Sequence, residues 1–165
     1  MQLRIADTAT RPERAEDMPF IERLYHSTRA EELQLTGWES SEITAFLRQQ
    51  CHAQHRFYTE QFESAEFAII ERAGRPIGRL YTDVRVDEIR VIDIALLPEW
   101  RGKGLGGAYM EAVLAAAQGM GKWVRIHVEK NNPALRLYHR LGFSEKEDKG
   151  VYWLMEHRPL DEEQA

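Results

Sequence analysis

The most constraining stretch of the chain is residues 88–120, EIRVIDIALLPEWRGKGLGGAYMEAVLAAAQGM. It opens with a β-branched run, reaches Pro98, crosses glycines at 102, 104, 106 and 107, and ends in apolar residues at helical spacing. The Ile- and Val-rich part predicts a strand. Proline cannot donate to a ladder, so the strand stops at Pro98. From Leu105 to Met120 the residues Tyr109, Val113 and Ala116 or Ala117 share one side, which predicts a helix. Glycine inside a helix costs about 1 kcal/mol relative to alanine. Glycines this dense therefore point to a need in the backbone itself: a sharp turn and close approach of a ligand. A helix that starts near Gly104 leaves its first N–H groups without partners, at the positive end of the helix dipole. Those groups make an anion site, and Arg101 and Lys103 add positive charge at its mouth. The ligand expected here is a phosphate or pyrophosphate.

Three other readings of the same turn fit the residues less well. A nucleoside-triphosphate loop needs GxxxxGK followed by Ser or Thr, and GKGLGG lacks that ending. GKGLGG does fit the dinucleotide pattern GxGxxG. However, it follows some 100 residues of different pattern, and the next strand, WVRIHV, shows no evident acidic ribose ligand. A purely structural turn needs neither four glycines nor two interleaved cations.

The rest of the chain supplies the frame. Residues 3–6 predict a short strand, and RPERAEDMPFIERLYHSTRAEEL predicts a helix with Ile21, Leu24 and Tyr25 on one face. A break at QLTGW precedes a second helix, capped by Ser40 or Ser41 and running to about Gln61, with Ile43, Phe46 and Leu47 at helical spacing. EFAIIER and IGRLYTDVR predict an antiparallel hairpin around the turn AGRP. GKWVRIHV predicts a strand, NPALRLYHRLG a short helix closed by Gly142, and FSEKEDKGVYWLME two strands around Asp148–Gly150. Antiparallel strands followed by strand, helix, strand, helix predict an α/β or α+β sheet with helices on both faces. The 165 residues show no repeat and no linker, so a single domain spanning 1–165 is expected.

Charge and cysteine usage exclude several function classes. A net charge of -5 argues against a general nucleic-acid or anionic-membrane binder. Cys51 is the only cysteine, so no intrachain disulfide forms, and a small buried side chain is its expected role. The histidines show no zinc-ligand spacing. No run approaches the roughly 20 apolar residues of a membrane span, and a cytoplasmic location is expected.

The two motif regions together resemble the GCN5-related N-acetyltransferases. The pyrophosphate loop of that family, Q/R-x-x-G-x-G/A, stands here as Arg101-Gly102-Lys103-Gly104-Leu105-Gly106, and a second signature stands as NNPALRLYHRLGF from Asn131 to Phe143. The resemblance implies a central mixed, mostly antiparallel sheet flanked by helices, with strands splayed at the cofactor. It implies a cofactor-binding core at about 66–157 and acceptor-side helices at about 14–61. The donor it implies is acetyl-coenzyme A, with backbone amides from Gly102 to Gly107 on the pyrophosphate and the edge of Ile94, Ala95 and Leu96 along the pantetheine. Asn131 stands where the family contacts the cofactor, and Ala134 where a small residue packs beside the pantetheine. Tyr138 stands where the family faces the departing thiolate. Each also has a plainer reading: Asn131 as a helix cap, and Tyr138 as a core aromatic beside Leu135, Leu137 and Leu141. Arg136 and Arg140 lie four apart, either toward the cofactor's 3′-phosphate or on a solvated face. Family members of this length often form homodimers.

The reaction implied is direct attack of a neutral amine on the thioester, with a base to take the amine's proton and an N–H near Leu96 to polarise the carbonyl. Relatives with a glutamate on the strand before the second signature have Ile126 at the matching position here. The candidate bases are Asp93, Glu88, Glu32 and His127, with Asp93 foremost. Glu31, Glu32 and Trp38 are candidates to receive a small-molecule or peptide amine. Two further readings stay open: a non-catalytic acyl-coenzyme A-binding or regulatory module, and a dinucleotide binder.

Overall fold

The computed structural model describes residues 1–161. The strands are β1 (Arg4–Ile5), β2 (Thr8–Pro12), β3 (Glu66–Arg72), β4 (Arg75–Val84), β5 (Glu88–Leu96), β6 (Trp123–Glu129), β7 (Ser144–Asp148) and β8 (Tyr152–His157). The helices are α1 (Met18–Gln34), α2 (Ser40–Gln61), α3 (Leu105–Met120) and α4 (Leu135–Arg140). One eight-stranded sheet has the order β1-β2-β3-β4-β5-β6-β8-β7. Every neighbouring pair is antiparallel except β5 and β6. Those two are joined through α3, the crossover that parallel strands require.

Adjacent residues on β3 show how the sheet is covered. Ile69 and Ile70 are both fully buried, and alternation along a strand sends them to opposite faces. Ile70 joins the larger cluster with Tyr109, Met110, Val113 and Ala117 of α3 and with Tyr138 and Phe143. Ile69 joins Phe20, Ile21 and Leu24 of α1 and Cys51 of α2. On α2, Ile43, Leu47 and Cys51 recur every fourth residue on the buried side. Burial pushes the Cys51 thiol pKa up, in keeping with a packing role.

The main departure from the sequence reading lies at the N-terminus. Arg11 and Pro12 were expected in a helix, but they end strand β2, and α1 starts only at Met18. Thr8 and Thr10 alternate inward along β2, which pairs with β3 from Thr8↔Arg72 to Pro12↔Ala68. The Thr8 hydroxyl shares a 2.7 Å hydrogen bond with the Tyr109 hydroxyl, tying this hairpin to α3. Asp17 ends the intervening turn: it accepts Arg14 N–H at 2.7 Å and both Arg11 Nη atoms at 2.8 Å. Smaller departures are Pro76, which lies inside β4 rather than in a turn, and Ser40, which is the first residue of α2 rather than its cap. Among the described residues no helix is long and apolar enough to cross a membrane.

Candidate active site

The β5–β6 ladder runs from Glu88↔Trp123 to Val91↔Ile126 and stops there. The cause is local. On the other side of β5, Tyr81 pairs with Asp93 and Thr82 with Val91, so Ile92 is an extra residue. Such a bulge bends its strand, and this one falls immediately after the last pair with β6. Beyond it β5 continues to Leu96 with β4 alone, up to Gly78↔Leu96. Gly78 permits that pairing: a Cβ there would lie 2.5 Å from the Ala95 carbonyl oxygen.

The gap opens into a cleft of about 910 Å³. Ile94, Ala95 and Leu96 form one wall, and Ala134, Leu137 and Tyr138 form the other. The glycine turn closes one end. Gly102 and Gly104 have φ of 71° and 81°, the left-handed region that favours glycine. The first hydrogen bond of α3 is Ala108 N–H to the Gly104 carbonyl at 3.0 Å. Among the described residues, the N–H groups of Gly102, Lys103, Gly104, Leu105, Gly106 and Gly107 donate to no backbone carbonyl. Gly106 lines the cleft, and a Cβ there would meet only Leu96 Cδ1, at 3.9 Å. Gly107 differs: its Cβ would come 3.2 Å from Leu137 Cδ1, so its role includes close packing of α3 on α4.

The two cations of the turn part company. Arg101 lines the cleft, donating from Nε to the Leu96 carbonyl at 2.9 Å and from Nη2 to Ser27 Oγ at 3.0 Å. Lys103 stays over the Trp100 ring, 5.0 Å from its centroid, and is not part of the cleft wall. Arg140 lines the cleft and Arg136 is exposed outside it.

Asn131 and Asn132 lie side by side ahead of α4. Both line the cleft, and Asn132 Oδ1 also accepts the Ala134 N–H at 2.9 Å in the turn that leads into α4. The residue at the N-terminal cap of α4 is Ala134, and no side chain caps that end. Tyr138 is both core aromatic and cleft residue. Its ring packs edge-on against Phe143 at 5.7 Å, and the residue is 5% exposed. Among the described residues its hydroxyl has no hydrogen-bond partner. Burial, then the charge of Asp93, pushes its pKa up to about 12, so the oxygen keeps its proton at neutral pH.

Asp93 lines the cleft and is ion-paired. Arg79 donates Nε to its Oδ2 at 2.6 Å, and Nη2 lies 2.5 Å from the same oxygen. Burial works against the charge of Arg79, and Asp93, Tyr81 and Tyr58 together outweigh it, leaving the guanidinium pKa raised. Gln54 Oε1 accepts from Arg79 Nη2 at 2.9 Å. Glu32 also lines the cleft, 3.8 Å from Arg29. Glu88 does not. It is buried at the far end of β5 between Arg90 at 3.0 Å and Arg125 at 3.4 Å, which makes it structural. His127 is exposed and outside the cleft, because alternation on β6 turns Ile126 and Val128 into the core. Desolvation, then Arg90, lowers its pKa. Glu31 and Trp38 are exposed and outside the cleft, Trp38 lying edge-on to Phe46 at 5.4 Å. The sequence reading missed Tyr25, Arg29, Arg79 and Glu129, which all line the cleft.

Glu129 ends β6, so the strand after GxGxxG does carry an acid. Two features separate the site from a dinucleotide sheet: β5–β6 is the only parallel pair among the described residues, and that pair splays at the turn.

A sequence model of the Acetyltransferase (GNAT) family matches residues 21–143. The chain belongs to this family. Mycothiol acetyltransferase of Thermobispora bispora is 37% identical over 94 residues, covering 50% of this chain and 31% of that protein. Cysteine-rich protein 2-binding protein of mouse is 33% identical over 70 residues, covering 42% of this chain and 9% of that protein. The chain thus matches well under half the length of these relatives. Among solved structures, the PaiA N-acetyltransferase of Thermoplasma acidophilum in complex with coenzyme A superposes with a TM-score of 0.69. It is 14% identical, with 93% of this chain and 99% of that one covered.

Proposed function

We propose that the chain transfers an acetyl group from acetyl-coenzyme A to a primary amine. The observation that carries this reading is the conjunction at one place of a splayed strand edge, a row of unpaired N–H groups and a protonated tyrosine. The coenzyme A complex of the PaiA relative and the acetyltransferase names of the similar proteins support the donor.

The residues present fit that donor. The N–H groups from Gly102 to Gly107 hold the diphosphate at the start of α3, with no side chain at 102, 104, 106 or 107 to fill the space. The edge of Ile94, Ala95 and Leu96 lies open to an extended amide-bearing chain, since β6 has left it. Asn131 and Ala134 flank the same channel. Arg101 orients the Leu96 carbonyl and Arg140 adds positive charge.

The donor supplies an acetyl thioester, whose carbon bonds to the amine nitrogen as the carbon–sulfur bond breaks. Tyr138 Oη, still protonated, gives its proton or a hydrogen bond to the departing sulfur. Asp93 Oδ1, the oxygen that Arg79 does not engage, accepts the amine's proton directly or through water. Arg79, buried and doubly bonded to Oδ2, fixes the orientation of that carboxylate.

The test has two parts. Calorimetry with acetyl-coenzyme A and with NAD separates this reading from dinucleotide binding. A thiol-release screen over small amines, amino acids and peptides then separates catalysis from mere binding. Saturable heat with the first ligand plus release with at least one amine class is expected. Tight binding without release across the panel assigns the chain to cofactor sensing instead.

A further inference from the structure

The buried side of α2 carries Ile43, Leu47 and Cys51, and the next residue on that side is Gln54. An amide therefore stands where the helical pattern calls for an apolar side chain. Gln54 is half-buried and lines the cleft. The orientation of its amide follows from its partner. Arg79 has only donors to offer, so the atom that faces Arg79 Nη2 at 2.9 Å is the oxygen, Oε1. The amide nitrogen Nε2 is thereby left to point elsewhere. Among the described residues Nε2 has no hydrogen-bond partner, and no buried side-chain nitrogen or oxygen lacks one, so Nε2 stays open to solvent. The cleft is the cavity that Gln54 borders. Asp93 hangs on the same arginine nitrogen, its Oδ2 lying 2.5 Å from Arg79 Nη2. One guanidinium nitrogen thus sets the Gln54 amide beside the carboxylate that receives the amine's proton.

We propose that Gln54 Nε2 donates to a carbonyl or carboxylate oxygen of the acceptor, borne on the carbon next to the amine-bearing one, as in an α-aminoacyl group. The inference rests on the acetyltransferase reading, with Asp93 Oδ1 as the group that the amine faces. In an α-aminoacyl group the nitrogen and the oxygen are roughly 3 Å apart. With one hydrogen bond of about 2.9 Å at each end, such a group bridges the Asp93 carboxylate and the Gln54 amide without folding. An amine whose nearest carbonyl lies several carbons away must fold back to make both contacts, and it loses rotamer freedom in doing so. A plain alkyl amine that displaces water from Nε2 offers no acceptor in return. A free amino acid and the N-terminus of a peptide both carry the required group. The competing account gives Gln54 the single task of completing the hydrogen bonding of buried Arg79.

Gln54→Glu separates the two accounts, because a glutamate still accepts from Arg79 Nη2 but has no amide nitrogen to donate. Thiol release from acetyl-coenzyme A is followed in the full chain with glycinamide, propylamine and 5-aminopentanamide. All three are unbranched primary amines, and they differ in whether and where they carry a carbonyl. Taking ratios between amines in one protein and comparing the ratios between proteins cancels their different basicities. In Gln54→Glu the kcat/KM for glycinamide relative to propylamine should fall about 10-fold from its wild-type value, the loss of one hydrogen bond. The ratio of 5-aminopentanamide to propylamine should not change. Gln54→Met should repeat the fall, with thermal melts and acetyl-coenzyme A calorimetry to check that each variant folds. Glycine and triglycinamide distinguish the two sources: the one with the higher wild-type kcat/KM per free-base amine is the one served. Equal ratios in the wild type and both variants overturn the proposal and leave the acetyltransferase reading intact, since acetyl transfer is still observed. So does an equal fall for 5-aminopentanamide, which would show that the spacing to the carbonyl is not read. No thiol release with any of these amines also overturns it, and the broader amine panel then decides the transferase reading.

Discussion

At one end of the cleft the working groups are main-chain N–H groups and absent side chains, held by the turn from Gly102 to Gly107. Elsewhere in the cleft they are side chains that hold one another: Arg79 on Asp93, and Arg29 on Glu129 and Glu32. The first arrangement tolerates almost no sequence variation, since only glycine adopts φ of 71° and 81° freely. The second can be built from many residue pairs brought in from α1, β4, β5 and β6. A family whose members share a donor and differ in acceptor would divide its cleft in this way.

Breaking the side-chain end should cost the most stability. Asp93→Ala leaves Arg79, 4% exposed, without its counter-charge. Removing one partner of a buried pair costs about 3–5 kcal/mol, so urea denaturation should show a loss of unfolding free energy of that size. Asp93→Ala paired with Arg79→Met should recover much of it, because no unpaired charge then remains buried.

Breaking the main-chain end should act on binding instead. Gly106→Val puts a side chain where only Leu96 Cδ1, at 3.9 Å, is in contact, so the fold has room for it and the ligand does not. Acetyl-coenzyme A affinity should fall by about 100-fold or more, the loss of several N–H contacts to a charged group at roughly 1.5–3 kcal/mol each. Gly104→Val is a poorer probe, since φ of 81° strains any branched residue and confounds binding with folding.

Tyr138 lines the same cleft, and its removal should have a smaller effect. Tyr138→Phe keeps the ring against Phe143 and deletes the hydroxyl. The expected fall in kcat is about 10-fold, the low side of acid catalysis, because a thiolate leaves readily. The pH dependence follows in sign. An acid must be protonated to act, and burial holds this one near 12 rather than at its ordinary 10.0. Between about pH 8 and 10 the ratio of wild-type to Tyr138→Phe kcat should therefore stay flat. A decline across that range would place the Tyr138 pKa at its solvent value.

The division of the cleft also explains what was legible in the sequence. The turn at Arg101–Gly107 and the segment from Asn131 to Phe143 are contiguous, and their constraints are local, so residue types at fixed spacing report them. Strands 66–72 and 88–96 announce themselves by β-branched residues in the same way, and strand 152–157 by the turn at Asp148–Gly150 before it. β2 did not. Its two inward threonines precede Arg11 and Pro12, and the helical pattern that follows outweighed them until pairing with β3 was visible. The ion-paired side chains of the cleft are hardest to read because they join residues 100 apart, as Arg29 and Glu129 do, or face each other across strands, as Arg79 and Asp93 do. Asp93 was singled out from its own context, an acid amid apolar neighbours, whereas the Arg79 that orients it was not. Asn131 and Asn132 show the finer limit: two identical residues side by side, of which only Asn132 accepts the Ala134 N–H ahead of α4.

The most direct test of the central claim is a titration of wild type and Gly106→Val with acetyl-coenzyme A in a calorimeter, with thermal melts run on both. A main-chain cradle for the donor's diphosphate predicts saturable heat for the wild type and none for the variant, with similar melting temperatures. Equal binding by the two proteins, or no heat from the wild type at millimolar ligand, would contradict it.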